Sequence, residues 1–595
     1  MGKYTFSLIA CATLVASLEA KELSLDPIVI TATKAEQPLK DVTSNNEIIT
    51  GEELEEKHVI TIGDALNLVA GISTLSNGGL GKSTSVYLRG FDSKRTLVLI
   101  DGIRYNDISS MDGASFEHLM MNEVERIEVI KGAQSGIWGA DASAGVVNII
   151  TKTAKTGTTL NAHLGAGSFK SRKYGASVAH KTDRYDIRIG ANKIRTEGFT
   201  SYAKRDFNIN NNEDDGYKNT TLNLNAGYRF DHANTLRLTH TGIDAYTEYD
   251  NTSSDSLTAH YNKKESLNQI AFENKNDFAS TKLYTNRSTF KRNYSSGTTF
   301  DSRTNEYGIT SEIPYLSSDF LLIGGDFKSF EHLNQINKKV TDKALFATNS
   351  NLFAKHVILT ESLRTDRYDA FDDKTTGKVG LKYNITPDLY FSSNYGTAYN
   401  IPTLYQLYAP TYGNIGLKPE DTRSYDFSFG YNGLEITYFS NHVKEMIDFD
   451  FTTYAYNNIS GTSTLKGVEV GYKKRVLDNT LLSLSYTRLS AKNQRGEDLR
   501  RRAKENLKFG VDYYGVSKLH LGLYGEYIGT RYDQDNKQGA QTGRYTVANA
   551  VANYDLSKNV RLYGKIDNIT DRYYQSVANY ATSPRAYYGG VEVSF

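Results

Sequence analysis

The stretch Val124–Lys152, VERIEVIKGAQSGIWGADASAGVVNIITK, decides the fold. It opens on Val124, Ile127, Val129 and Ile130, whose β-branched side chains suit a pleated, half-buried surface. From Gly132 to Gly145 glycine and alanine dominate, so the backbone can turn tightly several times. Val146-Val147-Asn148-Ile149-Ile150 then closes as a second short apolar strand. A soluble α/β protein could own such a passage. Here ~440 residues with almost no helical periodicity follow it, and that combination points to a small globular domain inside a very large β-barrel.

Composition narrows the class. At 595 residues the chain exceeds one ordinary core, so at least two domains are expected. The 69 basic and 68 acidic residues nearly cancel, which gives no general argument for a nucleic-acid partner. With only 39% hydrophobic residues and a mean hydropathy of −0.50, a bundle of membrane helices is excluded. Tyr is abundant at 43, interleaved with Asn, Thr and Gly, as suits strands with one polar face and one apolar or interfacial face.

Residues 1–20 read as a secretory signal peptide: Lys3 in a short basic region, an apolar run from Phe6 to Leu18, and small residues up to Ala20. The single cysteine, Cys11, lies within it, and Leu8-Ile9-Ala10-Cys11 also resembles a lipoprotein cleavage site. Cleavage near Ala20 leaves no cysteine for disulfides or a thiolate metal site. Residues 21–40 follow, with Asp26-Pro27-Ile28-Val29-Ile30-Thr31-Ala32 as a β-prone run flanked by charge. It reads either as the first strand of the next domain or as an exposed strand that pairs with another protein's sheet edge.

Residues 41–153 form a compact unit. Thr50-Gly51-Glu52-Glu53 has capping-box spacing and starts a short helix. Thr61–Asp64 repeats it, with Ala65, Leu66, Leu68 and Val69 as an apolar face and Gly71 as the stop. Ser85–Gly90 and Thr96–Gly102 are short strands, and Asn77–Gly81 and Asp107–Gly113 are glycine-bearing loops.

From residue 154 to 595 the period is two. In Thr221–Phe230, Leu222, Leu224, Ala226, Tyr228 and Phe230 face one way and Asn223, Asn225 and Arg229 the other. Asp231–Asn234 turns the chain into a returning strand at Leu236-Arg237-Leu238, and Lys518–Tyr524 and Val560–Tyr563 alternate likewise. Asp206–Gly216, Asp250–Ser256 and Asn337–Asn349 read as longer polar loops. Short turns at one end and long loops at the other are the pattern of an outer-membrane barrel. Roughly 20 residues per strand and connection gives on the order of 22 antiparallel strands, a size class with a plugged lumen. The last strand ends on Phe595, with Tyr587, Gly589, Val591 and Val593 alternating before it, as suits a closing strand.

These features resemble the TonB-dependent outer-membrane receptors over nearly the whole mature length. Leu88–Asp107 (LRGFDSKRTLVLIDGIRYND) and Val124–Lys152 look like the two most telling motifs of that family's plug domain, with Ala133 where Pro is usual. DPIVITA, Asp26–Ala32, sits where the family carries its Ton box. Within the family, NGGLGKSTSVYLRG (Asn77–Gly90) looks like the first apical plug loop of the cobalamin transporters. YGTAYNIPTLYQLY, LRRRAKENLKF and YIGTRYDQD look like their barrel strands and loops.

The resemblance implies an all-β transmembrane barrel of about 22 strands with an N-terminal α+β plug in its lumen. It implies import of a scarce ligand across the bacterial outer membrane, a corrinoid such as cobalamin, by a monomer driven by TonB through Asp26–Ala32. Ligand contacts would fall on Ser83, Ser85, Asp92, Ser110, Met111 and Arg501, while a further aromatic contact of the family falls on Asn536. Serines in glycine-rich loops also commonly satisfy local backbone groups. Calcium would bind Asn211, Glu213, Asp215, Tyr249, Asp250 and Asn251, hard oxygen donors on adjacent loops, although one acidic ligand of the family falls near Thr200.

Arg89 and Arg126 lie on plug strands that a barrel would enclose, where an unpartnered charge is costly. Asp426 and Glu469 on barrel strands are candidate partners; satisfaction inside the plug is the alternative. HExxH and GxSxG patterns are missing and the 11 histidines are scattered, so no enzyme is expected. A ferric-siderophore receptor remains open within the same family, as does a passive pore or adhesin in a different class.

Overall fold

Beginning at the N-terminal end, β1 (Ile28–Val29) and β2 (Gln37–Pro38) pair as a small antiparallel hairpin. The computed structural model describes residues 28–121, 123–204, 212–251, 253–316 and 318–595. The signal segment with Cys11, and Asp26, Pro27 and Asn211, lie outside the described residues.

The plug is built on a five-stranded mixed sheet ordered β3 (Asn46–Thr50), β8 (Val124–Lys131), β9 (Gly145–Thr151), β6 (Thr96–Ile100) and β7 (Ile103–Arg104). A separate hairpin joins β4 (Ile72–Ser76) to β5 (Thr84–Leu88). Both expected caps form: Thr50 accepts from the Glu53 amide to start α1 (Gly51–Glu56), and Thr61 and Asp64 cap each other's backbone at α2 (Ile62–Leu66). The second helix ends at Leu66 and not at Gly71, whose φ of +76° instead turns the chain into β4.

The glycine and alanine run holds more than turns. Ser135–Trp138 forms a short helix, α3, seated against the barrel wall. A Cβ at Gly136 would stand 3.2 Å from the Gly377 backbone, so the small residues permit a close approach of helix to wall. The plug core, including Val98, Ile100, Phe116, Ile127, Val129 and Val147, runs on into Leu267, Phe290, Val443 and Leu465 of the barrel's inner face. Plug and barrel share one apolar core.

Among the described residues, 22 antiparallel strands close the barrel, from β10 (Gly157–Gly167) to β31 (Ala586–Ser594), which pair with each other from Asn161↔Ser594 to Gly167↔Tyr588. The period of two takes its expected meaning: Leu222 and Tyr228 are exposed on the outer face while Thr221 and Asn223 are buried inside. No described helix is long and apolar enough to cross a membrane; strands make the crossing.

The segment expected as the loop Asn337–Asn349 is strand instead, within β19 (Lys338–Phe353) paired with β18 (Phe320–Leu333). Val340, Asp342, Ala344, Phe346 and Thr348 alternate inward and are buried. Strands keep their ladder above the membrane, where either face can be polar, so the apolar signal fades before the hydrogen bonding stops.

Gly136→Leu is expected to unseat α3 and destabilise the protein by about 1–3 kcal/mol, the usual cost of overpacking. Thermal unfolding in detergent measures it, and an unchanged midpoint would show that the helix does not need this close approach.

Candidate functional site

The plug meets the barrel through buried charge. Arg89, at the end of β5 and 1% exposed, donates from Nε and Nη2 to both carboxylate oxygens of Glu469, each at 3.0 Å. Its Nη1 lies 3.5 Å from Asp426, and Asn45 accepts from Nη2 at 3.1 Å. Burial alone would lower the Arg89 pKa, but Glu469 and Asp426 outweigh it and raise it further. Gly71 makes room for this pair: its carbonyl accepts the Arg89 amide, and a Cβ there would lie 2.0 Å from Glu469 Oε1.

Arg126 does not join the lock. It donates to Glu128 at 2.9 Å and to Glu125 at 3.3 Å, inside the plug. It lies on the Glu128 face of β8, toward the N-terminal hairpin, and a local carboxylate reaches it before any barrel residue does. Sequence reading missed further plug–barrel ties: Arg95 to Glu420 at 2.6 and 2.9 Å, Lys57 to Asp512 at 3.0 Å and Lys131 to Glu469 at 3.5 Å. A basic residue directly before an apolar strand, as in Lys94-Arg95-Thr96-Leu97, was the available signal.

The expected exposed strand at Ile28–Ala32 is largely buried. Ile28 is 50% exposed, but Val29, Thr31 and Ala32 are within 2% of full burial. Glu128 Oε2 accepts from the amides of Ile30 and Thr31 and from Thr31 Oγ1, at 3.1, 2.9 and 2.5 Å. Trp138 Nε1 donates to the Thr31 carbonyl, and Val29 packs with Ala32, Val42 and Ile130. One carboxylate, oriented by Arg126, holds the segment in the lumen, which is why it is not presented as a free edge.

At the opposite end the plug offers two loops. Ser83 is exposed, Ser85 half-buried on β5, and Met111 is 48% exposed. Ser110 is buried, and its Oγ accepts from the Asp112 amide at 3.2 Å. Asp92 pairs with Arg95 at 2.6 Å and lies 3.9 Å from Arg502. Burial would raise its pKa, but Arg95, Lys94 and Arg502 hold it well below the usual carboxylate range. Arg501 is turned to Asp533 at 2.7 Å, and Asn536 is exposed beside that loop. The charges of Asp92 and Arg501 are therefore already matched by partners within the protein.

Aromatic side chains rim this mouth. Tyr405, Tyr412, Phe449, Tyr454 and Tyr456 form edge-to-face and tilted contacts at 5.3–6.4 Å between ring centres, with Phe451 68% and Tyr454 60% exposed. The density of Tyr in residues 395–412 was the legible sign.

Two extracellular connections carry the acidic group. Glu213, Asp250 and Asp255 each bring one oxygen within 4.8 Å of the others. Asp250 organises both loops, accepting from Tyr202 N at 2.8 Å, Thr200 Oγ1 at 3.2 Å and Ser256 N at 2.8 Å. Asp215, 2% exposed, accepts from Ser201 N through one oxygen; its other oxygen, both of Glu213 and one of Asp255 are buried with no hydrogen-bond partner. Burial, together with the charges of the neighbouring Asp250 and Asp255 carboxylates, pushes Glu213 up to about 7. Orphaned hard oxygens on adjacent loops fit a divalent cation. The ring of Tyr249 packs on Tyr261 and Tyr294, and Asn251 is exposed. Asp255 was missed because only the loop conformation carries it to Glu213.

The family follows from the comparisons. The TonB-dependent receptor-like β-barrel family matches residues 157–569, and the TonB-dependent receptor plug domain matches residues 38–146. This chain belongs to the TonB-dependent receptors. It is 26% identical to a vitamin B12 transporter BtuB of Vibrio cholerae serotype O1, over 99% of each chain. It is 28% identical to that of Photobacterium profundum, over 97% of this chain and 96% of the other. In structure it resembles a mutant of the ferric enterobactin receptor PfeA of Pseudomonas aeruginosa, with a TM-score of 0.80, 19% identity and 96% and 100% coverage. It also resembles the siderophore receptor PirA of Acinetobacter baumannii, with a TM-score of 0.79, 16% identity and 92% and 98% coverage. Receptors and transporters, not enzymes, make up these matches, and the receptor's place is the outer membrane.

Arg89→Ala is expected to cost about 3–5 kcal/mol, because Glu469 and Asp426 stay buried with only Lys131, 3.5 Å from Glu469, to offset them. Unfolding in detergent should show Arg89→Ala/Glu469→Ala costing clearly less than the sum of the single losses; additive losses would count against direct pairing. Glu128→Ala should raise thiol labelling of a Val29→Cys reporter by about tenfold or more, the worth of a charge-assisted hydrogen bond. Unchanged labelling would assign the hold on the hairpin to apolar packing alone.

Proposed function

We propose that this receptor imports a corrinoid, cobalamin or a close relative, across the outer membrane. End-to-end likeness to two vitamin B12 transporters is the observation that carries the reading. The basin adds support: Ser83, Ser85, Met111, Asp92 and Arg501 offer polar and apolar contacts under an aromatic rim, chemistry that suits a large amide-rich macrocycle. A ferric siderophore is the second reading, favoured by the aromatic rim. A passive pore is not proposed, because the plug fills the lumen and shares its core.

In this mechanism the ligand settles on the plug loops and the aromatic rim. Glu213, Asp215, Asp250 and Asp255 would hold calcium, whose positive charge would offset these carboxylates and tie the two loops together. Asp26–Ala32 is the segment that TonB takes; Thr31 must first leave Glu128. Force on that segment displaces the plug far enough for passage, and no bond of the ligand is made or broken.

Titration of cobalamin into the purified receptor, with calcium and with chelator, tests the ligand. Binding is expected with calcium, weakened by chelator and unaffected by a siderophore panel. No binding in either condition would reject the corrinoid and leave the receptor fold standing. Deletion of Asp26–Ala32 is expected to abolish uptake while sparing binding; uptake that survives would remove the role given to this segment.

A further inference from the structure

Lys82 is a buried cation to which the function just proposed gives no role. It belongs to the apical plug loop before β5, is 2% exposed, and makes none of the plug's ion pairs with the barrel wall described above. Its Nζ reaches out of the plug and donates to the carbonyls of Asp215 and Gly216, at 3.0 and 3.3 Å. Those two carbonyls belong to the acidic extracellular connection, and they are the hard donor type that a calcium ion takes.

The surroundings are built around this reach. Gly81, with φ of +82°, lies so close to Tyr217 on β13 (Tyr217–Arg229) that a Cβ would stand 2.0 Å from its ring. A Cβ at Gly78 would stand 2.7 Å from Ser201 Oγ, beside the residue whose amide holds Asp215. The Gly81 carbonyl also faces Thr247 Oγ1 and the Tyr261 hydroxyl, each at 3.4 Å. The plug loop is thereby pinned under the acidic connections. Glu248, whose Oε2 accepts the Gly216 amide at 2.6 Å, adds a further carboxylate beside the same two carbonyls.

Charge explains what the lysine does there. Glu213, Asp215, Glu248, Asp250 and Asp255 gather five carboxylates on two connections, more than one divalent ion neutralises. A buried ammonium satisfied by carbonyls, beside Asp215, Glu248 and Asp250, offsets one of them without leaving the plug. The unpartnered oxygen of Asp215 marks the remaining room on the ion side.

We propose that Lys82 is a fixed cation which the plug inserts into the acidic extracellular loops, so that the order of those loops depends on the plug's position. The proposal rests on the receptor reading of the chain and only its second consequence rests on calcium. When the plug is drawn inward, the loops lose this counter-charge and reopen. While the plug is seated, Lys82 takes two carbonyls that a second ion would otherwise use, so it weakens calcium binding.

The test uses the full-length receptor in detergent with Lys82→Gln and Lys82→Arg. In chelator, hydrogen exchange across residues 212–216 and 249–256 is expected to rise by about tenfold or more in Lys82→Gln and to stay near wild type in Lys82→Arg. Calorimetric titration with calcium is expected to show Lys82→Gln binding about tenfold tighter, or taking up a second ion. Equal protection of all three chains in chelator would overturn the proposal, whatever calcium does. Should none of the chains bind calcium, the calcium reading falls by itself and the exchange comparison still decides Lys82. Exchange measured over α3 reports whether Lys82→Gln has disturbed the plug as a whole; a rise there equal to that in the loops would also overturn the proposal.

Discussion

A guanidinium taken out of water must be matched in position as well as in charge, and Arg89 imposes that condition on the whole receptor. Glu469 grips it through both oxygens and Asp426 lies behind it. Lys131 brings a second plug cation to 3.5 Å from Glu469, so two bases face two acids in one buried group. Sliding the plug along the lumen would leave these charges dry and unpaired, at several kcal/mol each. The group therefore fixes where the plug sits more than it adds to net stability. Gly71 belongs to the same constraint, since any side chain there would occupy the space of the Glu469 carboxylate.

Strand β8 ties this group to the periplasmic end. Glu128 holds Ile30 and Thr31, and three residues on, Lys131 faces Glu469. A pull on the N-terminal hairpin is thus delivered first to one carboxylate and then, along a hydrogen-bonded strand, to the lock. β8 pairs with β3 on one side and β9 on the other, which spreads the load across the sheet. At the outer end Arg95 makes a further buried ion pair with Glu420, and Lys82 adds hydrogen bonds to the Asp215 and Gly216 carbonyls. Each is strong only when dry and well aligned.

The shared apolar core sets the limit on such movement. Leu267, Phe290, Val443 and Leu465 of the wall pack against plug residues, so displacement exposes apolar surface as well as charge. Small residues reduce that burden at α3, where Gly136 meets Gly377 through backbone and little side chain has to disengage.

Alternation over ~440 residues determined the barrel, because lipid outside and a polar lumen inside demand opposite chemistry from successive residues. The β-branched ends of Val124–Lys152 determined two plug strands, and Thr50 and Thr61 determined two helix starts, all of them choices settled within a few residues. Arg89 was legible as a buried charge in need of a carboxylate, since apolar residues flank it on a short strand. Tertiary structure alone decided that Arg126 answers to Glu128, that Asp255 joins Glu213, that Glu128 hides the N-terminal segment and that Lys82 reaches Asp215. Those outcomes turn on distances between residues far apart in the chain. Local preference carries no information about them until strand register, loop path and the seat of the plug are fixed.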